Sequence, residues 1–123
     1  KLKEISYIHS EAYAAGELKH GTISLVDVGT PVISIITDED IKLKTLSNVK
    51  EVRARGALSI VITDQEIEDD DIYEILVKID KVPDLISSVL AIVKCQLIAY
   101  YVAKLNGCDI DKPRNLAKSV TVE

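Results

Sequence analysis

Three parts of this 123-residue sequence carry side chains that can transfer protons or form covalent bonds. Glu4 offers a carboxylate, and His20, between Lys19 and Gly21, offers an imidazole, the side chain best suited to acid and base work near neutral pH. Lys118 offers an amine, which can attack a carbonyl carbon once it has lost its proton. The glutamate and the histidine are of types suited to proton transfer, and the lysine is of a type suited to nucleophilic attack.

Each of these residues also has a plain structural interpretation. Glu4 can pair with Lys1 on an exposed helix face, a contact worth a few tenths of a kcal/mol. His20 can be a solvated loop histidine, and Lys118 can be one of 15 basic residues that happens to lie near a chain end. Residue type and spacing leave these alternatives open.

The length and composition predict a single globular domain and exclude several classes of protein. Hydrophobic residues make up 47% of the chain, which is ample for a core, and the net charge of −5 argues against nucleic-acid and anionic lipid partners. Cys95 and Cys108 lack metal-ligand spacing and form no disulfide framework, so we expect a reducing, cytoplasmic location. Lys94 interrupts the longest apolar stretch, and we therefore expect no membrane span.

Apolar periodicity predicts the elements that must position these side chains. Residues 1–15 have helical spacing, with Gly16 as the end of the helix, and a loop bracketed by glycines follows to Gly21. A strand is expected over 32–36, then a helix capped by Thr37 or Asp38, with Leu43, Leu46 and Val49 facing inward and Gly56 ending it.

The second half repeats the alternation of strands and helices. Strands are expected over 57–62 and 72–77, separated by a solvated loop with six acidic residues over 63–71. A long helix should run from Pro83 and Asp84 to Gly107. We expect the larger apolar residues to form its inward face: Ile86, Val89, Leu90, Val93, Leu97, Tyr100 and Tyr101. Apolar strands alternating with helices predict a parallel sheet covered on both faces, a three-layer α/β/α sandwich.

The first 21 residues and the last fifteen, DIDKPRNLAKSVTVE, resemble the C-terminal part of the glucosamine-6-phosphate synthase family, the isomerizing glutamine:fructose-6-phosphate amidotransferases. The resemblance runs over essentially the whole chain. It implies the second subdomain of the flavodoxin-like SIS (sugar isomerase) fold over residues 1–107, lacking its first strand, and a C-terminal tail over 108–123 that carries a catalytic lysine.

The resemblance also implies roles for particular residues. Glu4 matches the base that shuttles a proton between C1 and C2 of the sugar, His20 matches a histidine of ring opening in the neighbouring subunit, and Lys118 matches the lysine that forms a Schiff base with the open-chain ketose. Supporting roles in substrate binding, by the same matching, fall to a second group: Lys1, Lys19, Arg114 and Ala117. No metal or organic cofactor is implied.

The implied partners are fructose 6-phosphate, glucosamine 6-phosphate and the rest of the enzyme, a glutaminase domain and a first SIS subdomain, in a homodimer of amino-sugar biosynthesis. One departure concerns His20, since Thr22 stands where the family commonly has proline. We find no loop shaped to cradle a phosphate, so the isolated chain is expected to be inactive. The alternatives are a sugar-phosphate-binding regulatory module and a structural dimerization subdomain.

Overall fold

A computed structural model describes residues 1–114, and these form two compact units. The terminal unit combines residues 1–11 with the described residues from 95 onward, and the sheet unit is Ala12–Lys94. The predicted tail residues Ala117 and Lys118 lie outside the described residues. The helices are α1 (Leu2–Ile5), α2 (Lys42–Arg53) and α3 (Asp84–Leu105), and 3₁₀ turns cover Ala15–His20, Thr22–Leu25 and Asp70–Ile72.

The sheet unit is built on three parallel strands, β1 (Pro31–Ile36), β2 (Leu58–Thr63) and β3 (Ile75–Lys78), in that spatial order. Ile60 of β2 aligns with Ile33 on one side and Ile75 on the other. The predicted α/β class with a parallel sheet is confirmed. β3 begins three residues later than expected, because the 3₁₀ turn Asp70–Ile72 occupies the start of the predicted strand.

One face of the sheet packs against α2. Alternation places Ile36 and Val61 on this face, where they form a buried cluster with Val49 of α2 and Ile72. The opposite face is open in part, since Ile35 and Ile75 are each 46% exposed. A three-layer sandwich would cover those side chains.

The predicted helix over residues 1–15 is wrong beyond its first turn. Helix α1 ends at Ile5, because Tyr7 adopts a left-handed backbone conformation with φ of 57°, which an α-helix cannot continue. Ala14 is extended, and residues 15–20 form a 3₁₀ turn instead of the end of an α-helix. The apolar spacing is real, but it does not describe one continuous element.

Helix α2 starts later than predicted and presents a different inner face. Its N-cap is Ile41, while the Asp38 carboxylate accepts a hydrogen bond from the Asp40 amide in the preceding turn. Val49 is buried as expected, and Leu46 packs partly against the core. Leu43 is 79% exposed, so its predicted inward position is wrong.

Helix α3 begins and ends as predicted, but small residues form its buried stripe. Ser87, Ala91, Ala99 and Ala103 are buried, whereas the larger residues expected to face inward, such as Val89 and Tyr101, are largely exposed. Ser87 and Ala91 are four residues apart, as are Ala99 and Ala103, so the two members of each pair lie on one side of the helix. Small side chains permit a close approach of neighbouring backbone, which the larger residues would prevent.

Within the part of the chain that the structure describes, helix α3 is long and apolar enough to cross a membrane, judged by its length and composition alone. An 18-residue window has a mean hydropathy of 1.8 despite Lys94, and only 17% of that window is buried. The expectation that Lys94 makes the stretch too short is therefore wrong. These two properties establish an exposed apolar surface, which a membrane or a protein could cover.

Gly56 gives the first test of the fold, because it closes the turn between α2 and β2 with φ of 88°. A Cβ atom there would lie 2.8 Å from Cγ2 and 3.1 Å from Cα of Val28. We predict that Gly56→Ala lowers the free energy of unfolding by about 2 kcal/mol, from backbone strain and overlap together. Urea denaturation measures the change.

Gly16→Ala is the matched control, because no atom lies within 4 Å of the place that a Cβ atom would occupy there, and its φ is not positive. This variant should unfold within about 0.5 kcal/mol of the parent, as ordinary surface substitutions do. Equal stability of the two variants would contradict the account of Gly56.

Candidate functional site

Glu4 lies on α1 with Lys1 as a direct partner. The Lys1 Nζ atom is 2.8 Å from Glu4 Oε2, and both side chains are about half exposed, at 55% and 49%. An exposed pair of this spacing is worth only about 0.3–0.5 kcal/mol. Lys1 therefore adds little stability to α1 through this pair, and the Glu4 side chain stays about half exposed.

Helix α1 is held in the terminal unit by apolar and polar contacts with α3. Ile5 is buried with Ala99 and Ala103, and Leu2 packs against the same cluster. The buried Ser6 hydroxyl donates a 3.0 Å hydrogen bond to the Ala99 carbonyl oxygen. These contacts fix the backbone of α1, so Glu4 is carried on a rigid turn although its own side chain faces water.

Arg114 contacts Tyr7, the second residue after α1. Its backbone amide donates a 2.8 Å hydrogen bond to the Tyr7 hydroxyl, and its guanidinium carbon lies 4.3 Å from the centre of the Tyr7 ring. The second distance is that of a cation–π contact. The terminal unit thus brings Lys1 and Glu4 together on one turn and places Arg114 against Tyr7, which follows in the same segment.

His20 lies at the end of the 3₁₀ turn Ala15–His20 in the sheet unit and is exposed. Its neighbour Lys19 forms a 2.6 Å ion pair with Glu51 of α2, which ties this turn to the helix. Lys19 therefore anchors the segment that carries His20. Glu4 belongs to the terminal unit and His20 to the sheet unit.

The turn after His20 depends on glycine. Gly21 has φ of 133° and ψ of −45°, a conformation that side chains with a Cβ rarely adopt. Thr22, at the position where the resemblance leads one to expect proline, starts a second 3₁₀ turn, and Ser24 donates its amide and hydroxyl to the Gly21 carbonyl. Local hydrogen bonds thus shape this turn without proline.

The sheet unit also contains an open groove of about 460 Å³ between α2 and the acidic loop. It holds none of the predicted site residues. Lys50 and Asp69 line it and form a 2.7 Å ion pair. The hydrogen bond from Lys50 is the main cause that lowers the pKa of the Asp69 carboxyl, and the Asp71 amide adds to it. The pair closes the loop onto α2.

Neither a metal site nor a reactive thiol stands out in the described chain. No group of three His, Cys, Asp or Glu side chains within residues 1–114 is placed to hold a metal ion. Burial raises the pKa of the Cys95 thiol, which keeps it in the less nucleophilic protonated form. The absence of a cofactor stays a prediction.

Tyr7 is the residue that sequence reasoning missed. The helical periodicity of residues 2–15 concealed the turn, since tyrosine carries no signal for a left-handed backbone. A tyrosine at φ of 57° is uncommon, and such a conformation costs on the order of 1–2 kcal/mol. Only contacts made by the native structure can offset that cost.

Comparison with protein families identifies the fold. The sequence model of the SIS-domain family matches residues 1–82, two thirds of the chain. The chain belongs to the SIS-domain family. The C-terminal domain of glucosamine-fructose-6-phosphate aminotransferase from Francisella tularensis is similar in structure, with a TM-score of 0.82 and 39% identity over 90% of this chain and 32% of that one.

Several curated relatives of this SIS-domain chain are named glutamine–fructose-6-phosphate aminotransferase [isomerizing]. Those from Clostridium tetani and Methanosarcina acetivorans are 54% and 52% identical over 124 aligned positions, which include all of this chain. The alignment covers 20% of each relative, so the chain spans about a fifth of their length. The resemblance seen in the two end segments is thereby confirmed at the level of the family.

Asp69 gives a prediction for the pH dependence of this SIS domain. A carboxyl whose pKa is lower in the folded state than the ordinary 3.8 stabilises the fold above that value, and the stabilisation is lost as the pH falls through the folded pKa. We predict that Asp69→Asn has a lower urea midpoint than the parent at pH 7 and that the difference shrinks at pH 3.

Asp70→Asn is the matched control, since it removes one charge from the same acidic loop while leaving the Lys50–Asp69 pair intact. Its midpoint should follow that of the parent more closely at pH 7. An Asp69→Asn difference that is as large at pH 3 as at pH 7 would show that the ion pair is not its source.

Proposed function

We propose that this chain supplies part of the isomerase site of an enzyme that converts fructose 6-phosphate and glutamine to glucosamine 6-phosphate and glutamate. The observation that supports this most is the identity of 50–54% over the whole chain to aminotransferases named as isomerizing. An independent likeness in fold comes from the C-terminal domain of such an enzyme. Because the chain spans a fifth of these relatives, the activity belongs to the longer protein.

In this proposal Glu4 is the base of the isomerization. It removes the proton from C1 of the open-chain sugar and returns one to C2, which converts the ketose into the aldose. The carboxylate is about half exposed on the first turn of the chain, where a bound sugar can approach it. Helix α1, anchored on α3, keeps the carboxylate in place.

The proposal gives His20 the ring opening and Lys118 the covalent step. An exposed imidazole on a hydrogen-bonded 3₁₀ turn can reach a sugar bound by another subunit or subdomain. The Lys118 amine would add to C2 of the ketose and release water, forming the Schiff base that ammonia later displaces. Lys1, Lys19, Arg114 and Ala117 would support the substrate around these groups.

The partners are proposed from the exposed surface of α3. Leu85, Val89 and Leu105 are more than half exposed, and such an apolar helix is stable in water only when another surface covers it. We assign that cover to the remainder of the enzyme and to the homodimer contact, in the cytoplasm, and not to a membrane. A contact role of this kind is compatible with catalysis.

Grafting tests the function directly. The segment of the Clostridium acetobutylicum aminotransferase that aligns with this chain would be replaced by residues 1–123, and formation of glucosamine 6-phosphate measured. We predict an active graft. Glu4→Gln and His20→Asn should each lower kcat at least ~100-fold, as expected for loss of an acid or base, and Lys118→Ala should abolish turnover.

Each of the three variants has a matched control in which a residue of the same type is replaced elsewhere in the chain. His9→Asn removes the other histidine, Glu17→Gln removes a carboxylate from the 3₁₀ turn that carries His20, and Lys112→Ala removes an exposed lysine from the same end of the chain. These variants should stay within about threefold of the grafted parent. A folded graft without activity, or equal losses in the two sets, would contradict the proposal.

A further inference from the structure

Tyr7 makes two different contacts with one residue 107 positions away. Its hydroxyl accepts the 2.8 Å hydrogen bond from the Arg114 amide, and its ring faces the Arg114 guanidinium at 4.3 Å. One contact engages the backbone of Arg114 and the other its side chain. Together they restrict both the position of residue 114 and the direction of its charged group.

The left-handed backbone conformation of Tyr7 affects the direction of its ring. Glycine or asparagine is the usual residue at a left-handed position after a helix, because neither incurs the full steric cost. The Ile8 amide returns to the Leu2 carbonyl at 3.3 Å, which closes the turn around Tyr7. A strained tyrosine at this point directs a large ring and a hydroxyl away from the axis of α1, where glycine would offer neither.

Residues 108–114, which lead to Arg114, are themselves held by contacts within the terminal unit. Pro113 is buried, and Ile110 and Cys108 pack against the cluster of Ile5, Ala99 and Ala103. The Asp109 carboxylate accepts the amides of Asp111 and Lys112, which shapes the turn before Pro113. The contact with Tyr7 is therefore the last of a series of attachments along residues 108–114.

We propose that Tyr7 is a positioning residue that holds Arg114, and with it the entry to the last residues of the chain, at a fixed place beside α1. Its catalytic meaning rests on the proposed function, because α1 carries Glu4 and the residues after Arg114 include Lys118. In this role Tyr7 acts through Arg114. By holding Arg114, it fixes the position relative to α1 from which the chain continues towards Lys118.

Hydrogen exchange tests the contact in the chain itself. Tyr7→Phe keeps the ring and removes the oxygen that accepts the Arg114 amide, and Tyr7→Leu removes both contacts. We expect the Arg114 amide to exchange at least threefold faster in Tyr7→Phe, while the Ala54 amide, bonded to the Lys50 carbonyl, is unchanged. The ring-current shift of the Arg114 side-chain protons should persist in Tyr7→Phe and vanish in Tyr7→Leu.

Tyr101→Phe is the matched control, because it deletes the hydroxyl of a tyrosine that packs edge to face with Tyr100. It should leave the exchange of the Arg114 amide unchanged. Equal exchange rates of that amide in the parent and in Tyr7→Phe would overturn the inference. This result can be read even if Tyr7→Leu fails to fold.

The grafted enzyme separates positioning from general stability. Tyr7→Phe should lower kcat at least fivefold with KM for fructose 6-phosphate within twofold and with an unchanged urea midpoint. Combining Tyr7→Leu with Arg114→Ala should cost less than the product of the two single losses, because both substitutions remove the contact between the Tyr7 ring and the Arg114 guanidinium. An active graft with full kcat in Tyr7→Phe would overturn the inference and leave the proposed function standing. An inactive parent graft would contradict the proposed function, while the exchange rates would still decide the Tyr7 contact.

Discussion

The close packing of α1 on α3 is the constraint on which the terminal unit depends. Ile5 is buried against Ala99 and Ala103, and Ser6 bonds to the backbone of Ala99, so a larger residue at either alanine would push α1 away. The small-residue stripe of α3 thus determines where the carboxylate of Glu4 is carried. A consequence of that stripe is that the large apolar residues of α3 point elsewhere.

This arrangement explains why the side chains that could do chemistry are exposed. Glu4, His20 and Arg114 all lie at the surface of their units, while the contacts beneath them, Ser6 to Ala99 and Lys19 to Glu51, fix the backbone that carries them. Each unit thus carries exposed groups on fixed turns, which leaves these groups accessible to another surface. The open face of the sheet and the apolar side of α3 are surfaces of the same kind.

Much of the fold could be predicted from the sequence. Periodicity located α3 and two of the strands to within a residue or two, because β-branched runs and the Pro83–Asp84 start have direct physical causes. It failed at residues 6–15, because Tyr7 adopts a left-handed backbone conformation for which tyrosine carries no sequence signal. It also assigned the wrong face of α3, since periodicity identifies a stripe of large residues without revealing whether they or the alanines are covered.

The candidate site was predicted from resemblance more than from residue chemistry. Glu4 beside Lys1 would pass for an ordinary surface pair, and the structure shows that pair. What raises it above that interpretation is the match over the whole chain to isomerizing aminotransferases. Tyr7 was accessible to neither line of reasoning, because its role follows from geometry alone.

The most direct test of the account is borohydride trapping in the grafted enzyme with fructose 6-phosphate, followed by peptide mass spectrometry. Reduction of a Schiff base would leave the sugar phosphate attached to one lysine by a stable amine bond. We predict that Lys118 carries the label and that Lys112 does not. A graft that turns over fructose 6-phosphate while its label lies on another lysine, or on none, would contradict the account.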